Sequence, residues 1–285
     1  MAIRTRDYYN RPLSDDHIRA VAPSVFAQEA HESRSDRYTY VPTYEIVKGM
    51  RDNGFEVYEA NQSRARLDDR KDFTTHVLKF RQQDAVIGLD KYGRPAEHVE
   101  IILRNSHDGA SAFELSQGVF RLVCSNGMVA GRTTASIKVP HRGDIIGNIV
   151  EGSYRIVEDS KQLASVISDW KNIELSSNEQ LGLASAAAEL RFGDRLEELN
   201  PELVASQLNR AVRYDDKLND LWTSFNRVQE HCIKGGSYLG YKKGRRVTAR
   251  GVTGVDQDLK LNKALWVLAD QMAKIKTGQA ELLAA

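Results

Sequence analysis

Apolar residues alternate with polar ones in short runs through the first half of the chain, then recur at three- and four-residue spacing through the second. A β-strand repeats its facing every two residues and an α-helix every 3.6, so this change of period commits the halves to different structure. Phe55-Glu-Val-Tyr58 alternates, Thr75–Arg81, Glu97–Asn105 and Gly118–Cys124 are strand candidates after it, and Thr133–Val139 alternates again. Turn residues separate them at Lys91–Pro95, Asn105–Gly109 and Ser125-Asn126-Gly127, after which Met128-Val129 resumes the sheet. Tyr38–Val41 is a further predicted strand. Thr43 then caps a helix that turns Ile46, Val47 and Met50 inward and stops at Asn53-Gly54. Asn61–Asp72 is densely charged and predicts an exposed loop. From about residue 155 helical spacing takes over in Leu163, Val166, Ile167 and Trp170. It continues in Ala184–Phe192, in a helix opened by Pro201, in the stripe Leu218, Leu221, Trp222 and Phe225, and in Leu259–Met272. The expectation is an α+β protein, with an antiparallel sheet and packed helix in its N-terminal half and a helical C-terminal half. Residues 1–35 form a leader with a short helix capped by Ser14, residues 36–155 a strand-rich domain, and residues 156–285 a helical region with a basic, glycine-rich loop.

Charge narrows the function. The 285 residues carry 40 Lys and Arg against 39 Asp and Glu, a net charge of +1. A globally basic nucleic-acid binder is excluded, so any electrostatic site is a local patch. Two stretches qualify. No acid lies between Glu230 and Asp256, where Lys234, Lys242, Lys243, Arg245, Arg246 and Arg250 occur among glycines, with Tyr238 and Tyr241. None lies between Glu114 and Asp144, where Arg121, Arg132, Lys138 and Arg142 occur. Cations neutralise phosphates, glycines let backbone amides approach them, and tyrosines stack on bases. The alternative is a solvated basic segment neutralised by acids that folding brings near.

Catalytic signals are sparse. Asn105-Ser-His107-Asp108-Gly109 holds a Ser, a His and an Asp, but neighbouring side chains on a turn point apart and form no relay. The expectation is a structural turn in which Asn105, Ser106 and Asp108 satisfy backbone groups and His107 is packed or exposed, with Asn126 in a second turn. Cys124 shares a strand face with Phe120 and Leu122 and has no base nearby in sequence, so it reads as a structural thiol. No phosphate-binding glycine-rich ATP loop and no metal-ligand spacing occur. The expectation is no catalytic residue, no cofactor and no metal. The apolar runs are short, and Met1–Asp7 has no apolar signal region, which predicts a cytoplasmic protein without a membrane span.

Several stretches together carry a resemblance: Ala22-Pro-Ser-Val-Phe-Ala27, Tyr40-Val-Pro-Thr43 with Gly54-Phe55, Leu103-Arg-Asn-Ser-His-Asp-Gly109, Phe120-Arg-Leu-Val-Cys-Ser-Asn-Gly-Met128, and Leu261-Asn-Lys-Ala-Leu-Trp266. In order and content they resemble the family catalogued as domain of unknown function 932, which is similar to proteins carried by phages, plasmids and other bacterial mobile elements. A strand, a helix ending in Asn-Gly-Phe and a run of antiparallel strands is also similar to phage single-strand annealing proteins of the Rad type. That likeness implies a homo-oligomer that holds single-stranded DNA in a basic groove and anneals it in recombination without ATP. Arg121, Arg132 and Lys138 would then line the groove, and Tyr241, Lys242, Lys243, Arg245 and Arg246 would form a second contact. Two other functions compete. One is a protein-binding inhibitor of a host defence or restriction system, with a host or phage protein as partner. The other is a metal-dependent hydrolase or nuclease using His107 and Asp108.

Overall fold

The computed structural model describes residues 5–6, 11–32, 40–65, 70–122 except 83, 91 and 112, 126–129, and 144–279 except 243. It is an α+β protein of two compact units, residues 1–161 with 253–256 and residues 162–252 with 257–285.

The first unit is built on an antiparallel sheet. Its described strands are β1 (Thr5–Arg6), β2 (Phe55–Gln62), β3 (His76–Gln82), β4 (Val86–Leu89), β5 (Pro95–Asn105), β6 (Glu114–Arg121) and β7 (Asn126–Val129). They lie in the order β1-β2-β3-β5-β6-β7, with β4 also paired to β5. Leu78 stands opposite Leu103, Phe80 opposite Ile101, and Leu103 opposite Leu115. Opposed residues share a face, so these side chains make one apolar surface. Three helices bury it: α1 (Asp15–Val21) through Ile18, α2 (Thr43–Asp52) through Ile46, Val47 and Met50, and the start of α3 (Ile145–Asn172) through Ile149 and Ile156. Each large side chain so buried contributes roughly 1.5–3 kcal/mol.

The opposite face of β3 and β5 is equally buried but charged. Lys79 Nζ lies 3.3 Å from Glu59 and 3.9 Å from Glu100, and Arg81 Nε lies 3.4 Å from Glu100. The Arg81 guanidinium sits 3.8 Å from the Tyr58 ring and 3.9 Å from the Phe120 ring. A bulge between Val57 and Glu59 places Tyr58 there.

Local signals explain the helix ends. Ser14 caps α1, and Asp15 and Asp16 occupy its first turn. Gly54, at φ +80°, follows the Asn53 cap of α2 and lets the chain reverse into β2. Thr43, however, is not the cap. Pro42 takes that position and Thr43 is the first helical residue, with its hydroxyl engaged elsewhere. Other expectations are also corrected. Asn61 and Gln62 continue β2 opposite Val77 and His76 and are buried rather than forming an exposed loop. Tyr40 and Val41 form no strand, while positions 38 and 39 lie outside the described residues. β4 escapes notice because four residues carry too little alternation. Asn126 opens β7 opposite Arg121 instead of standing in the turn. Helix begins at Ile145, ten residues before the change of period suggests. Cys124 and Thr133–Val139 lie outside the described residues.

The second unit packs α4 (Ser177–Phe192), α5 (Pro201–Leu208), α6 (Leu221–Lys234), the later turns of α3 and most of α7 (Val255–Lys276). Trp170, Trp222, Phe225 and Trp266 form one aromatic cluster, with Trp170 and Trp266 centroids 4.7 Å apart. α6 is buried from Leu221 to Ile233. Asp220 caps it by accepting from Thr223 N at 2.8 Å, which leaves Leu218 outside the helix and 63% exposed rather than on its apolar stripe. Ser176 and Glu179 form a reciprocal cap on α4, and Asn200 with Pro201 opens α5.

Candidate nucleic-acid interface

The basic stretch after α6 is a two-stranded antiparallel hairpin rather than a loop, formed by β8 (Tyr238–Lys242) and β9 (Arg245–Thr248). Its sequence supports this. Tyr238, Tyr241, Val247 and Thr248 favour strand, Gly244 at φ +73° serves the turn, and Gly240 at φ +111° serves a bulge. Tyr241 stands opposite Arg246 and Lys242 opposite Arg245, so the two pairs project to opposite faces.

The root of the hairpin is fixed. Gly236 N donates to Ala249 O, Ala249 N to Ser237 O and Val252 N to Ile233 O, each at 2.8 Å. Arg191 spans the two sides, donating to Cys232 O at 2.8 Å and Arg250 O at 2.6 Å. The His231 ring lies between Ser237 Oγ at 2.8 Å and the Arg210 carbonyl at 2.9 Å. Gly235 turns the chain out of α6 at φ +73°, with the Ala249 carbonyl so close that no Cβ fits.

The tip faces water. Tyr241 is 70% exposed, and Lys242, Arg245 and Arg246 are exposed. Arg246 lies 5.2 Å from the Tyr238 ring centroid, and Tyr238 meets Tyr241 edge-on at 5.9 Å. Lys242 pairs with Glu198, an exposed acid that holds no recognisable place in the sequence pattern, and the ammonium lowers the Glu198 carboxyl from its ordinary value. Among the described residues, neither Arg245 nor Arg246 pairs with an acid. Lys243 lies outside the described residues, as do Arg132 and Lys138.

Arg121 lies in β6 of the first unit. It is 6% exposed and stands opposite Glu97 in the β5–β6 ladder, so it is buried where a groove contact would need it open.

The Asn105–Gly109 turn closes a buried polar network in the first unit. Asn105 Nδ2 donates to Thr43 Oγ1 at 2.9 Å, and that hydroxyl lies 3.0 Å from His76 Nε2 and 3.4 Å from His107 Nε2. On the far side of His76, Nδ1 lies 2.8 Å from Ser24 Oγ, which donates to Gln62 Oε1 at 2.8 Å. A proton on Nδ1 of His76 satisfies this chain: Nδ1 donates to Ser24, and Nε2 accepts from Thr43. Burial pushes His76 down to about 3, helped by the nearby His107. Burial likewise pushes His107 down to about 4, against the pull of the Ser24 carbonyl and Asp108. Both rings are fully buried and neutral near pH 7. Asp108 Oδ1 accepts from Ala110 N at 2.9 Å, beside Gly109 at φ +72°. The arrangement holds α2, β2, β3 and β5 together and offers no ring to a substrate in solution. Among the described residues, no cluster of three His, Cys, Asp or Glu side chains is placed to hold a metal ion. Ser24, Thr43, Gln62 and His76 were not legible as partners of this turn, because they are scattered along the chain and share no local pattern.

Residues 30–266 match the family described as Domain of unknown function (DUF932). The chain belongs to this family. Its relatives include the UPF0380 proteins YfjQ and YafZ of Escherichia coli strain K12. Each is 38% identical to this chain over 263 residues, which is 92% of this chain and 92% of the relative. No solved structure matches the chain. The family span includes both the Asn105–Gly109 turn and the β8–β9 hairpin. Among the described residues, no helix is long and apolar enough to cross a membrane.

Proposed function

We propose that this member of the DUF932 family binds single-stranded DNA through the β8–β9 hairpin, without itself catalysing a reaction. The observation that carries the proposal is the pairing of Tyr241 with Arg246 and of Lys242 with Arg245 on an exposed hairpin whose root is locked by Gly235, His231 and Arg191. An open phenol ring suits an unpaired base, whose face is available for stacking. Cations on both sides of the ribbon suit the phosphates that flank it. Arg245 and Arg246 are uncommitted to acids, and the Lys242–Glu198 pair is solvent-exposed, where such pairs are weak and yield to a phosphate. Annealing of complementary strands by an assembly of several copies, in the service of a mobile element, is the biological role we attach to this binding.

Fluorescence anisotropy with a labelled single strand at several salt concentrations tests the binding. Affinity falls with salt, and the triple variant K242A/R245A/R246A flattens the slope by about 0.7 for each phosphate that no longer meets a cation. If the triple variant binds as the parent does, or if the parent shows no salt-dependent binding, the proposal fails. Native mass measurement with and without the strand reads the assembly.

A further inference from the structure

The connection between α5 and α6 is held with unusual firmness for a segment that shows side chains to water. Arg213 donates to Asp216 at 2.9 Å and, through both terminal nitrogens, to Glu230 at 2.7 and 2.6 Å. Arg227, 5% exposed, donates to the carbonyls of Asp216 at 2.7 Å and Leu218 at 3.0 Å. His231 fixes a third point, the Arg210 carbonyl. A loop pinned at three places has already given up its conformational freedom, so a contact made by it costs little further ordering.

What this fixed loop presents is Tyr214, 76% exposed, with the Lys217 ammonium 5.6 Å from its ring centroid. Arg210 is exposed as well. The pairing of a tyrosine ring with a neighbouring cation repeats what the hairpin does with Tyr238 and Arg246. On charge, Arg213 is taken up by Asp216 and Glu230, which leaves Arg210 and Lys217 against the exposed Asp215. One side chain joins the two elements. The ring of His231 meets the loop through one nitrogen and Ser237, the residue before β8, through the other. Tyr214 is four residues from Arg210 and Tyr241 four from Ser237, so the Cα of each lies within about 15 Å of the Cα of a residue hydrogen-bonded to that ring. A single strand of several nucleotides covers such a span.

We propose that the Arg210–Lys217 loop is a second contact for the same single strand, with Tyr214 stacking on an unpaired base while Arg210 and Lys217 meet its phosphates. This rests on the hairpin proposal and extends it. Two aromatic platforms on one rigid mount favour unpaired bases over a duplex, in which neighbouring pairs already cover the faces of each base.

The test is anisotropy with oligothymidylates of about 4 to 20 nucleotides and with a duplex, using the parent, Tyr214→Ala, Tyr214→Phe and the hairpin variant K242A/R245A/R246A. Tyr214→Ala weakens binding of the longer strands by about tenfold or more. Its effect grows with length, because the shortest strand reaches only one element. Tyr214→Phe keeps the parental affinity, and duplex binding is the same in Tyr214→Ala as in the parent. Thermal melts of both variants match the parent, since the ring is exposed. If Tyr214→Ala binds every strand as the parent does while the hairpin variant no longer binds, the loop is not a contact and the hairpin proposal stands. If Tyr214→Phe loses as much as Tyr214→Ala, stacking is overturned. If the parent binds no strand, both proposals fall together.

Discussion

Acid should loosen the first unit well before it protonates most carboxylates. The perturbation is a fall from about pH 7.5 to about pH 5, and the responsible groups are His76 and His107. Each has an ordinary value of 6.5, lowered in the folded chain to about 3 for His76 and about 4 for His107. Between the ordinary and the lowered values the unfolded chain holds protons that the folded chain refuses, so stability is full above about pH 6.5 and is lost as the pH falls. At about pH 5 the loss is about 2 kcal/mol per histidine, or about 4 kcal/mol for the pair. His98, also lowered by burial, acts in the same direction. Asp15, Asp90, Glu179 and Glu198 are lowered from ordinary values of 3.8 to 4.5, so their contributions are lost only at still lower pH. The assay is hydrogen exchange at the amides of Leu78, Phe80, Ile101 and Leu103, expressed as protection after correction for intrinsic pH dependence. All three tryptophans lie in the second unit, so their fluorescence follows that unit as an internal control. The double variant His76→Gln/His107→Gln should lose most of the pH dependence, whatever it costs at neutral pH. A change below about 1 kcal/mol over the range, or an equal change in the double variant, refutes the account.

Two further outcomes follow from close packing. Gly235→Ala should destabilise the second unit by about 2–4 kcal/mol and weaken strand binding, because its Cβ would meet the Ala249 carbonyl oxygen at 2.7 Å with φ at +73°. Gly236→Ala, at φ +83° with nothing within 4 Å, should cost only about 1 kcal/mol, and thermal melts of the two compare them. Lys79→Met should cost about 3–5 kcal/mol by urea titration, since it leaves Glu59 and Glu100 buried without the ammonium between them. An unchanged midpoint would refute the role given to Lys79.

Fold class was legible because β5 carries a long β-rich run in Val99–Leu103 and α3, α6 and α7 repeat at helical spacing. Local patterns of that length dominate their own neighbourhood. What pairs with what across the chain was not legible. Arg121 reads as a free cation until Glu97 is found opposite it. Thr43 reads as a cap until two distant histidines, one on β3 and one in the turn after β5, approach its hydroxyl. In the hairpin, Gly240 and Gly244 suggest pliability, yet they serve a bulge and a turn that order the strands around them. The basic character of the segment came through, because a run without acids needs no knowledge of the fold. Tyr214 passed unnoticed, since nothing near it in sequence foretells that Arg213 and Arg227 will hold its loop still.

The charged layer beneath the sheet has a consequence for how this chain finds its pairing. β3 and β5 each carry oil on one side and ions on the other. Sliding one strand by a single residue would press Lys79 or Glu100 into the helices and turn Leu78 or Ile101 onto the ions. Sliding β3 by two restores the sides but puts Arg81 where Lys79 stood, or Lys79 where Arg81 stood, so the other cation of the two loses its place beside Glu100. Alternative alignments are thus penalised at both steps, by two different forces. The four residues Glu59, Lys79, Arg81 and Glu100 work as a key cut across three strands, and in related chains they should be replaced as a set.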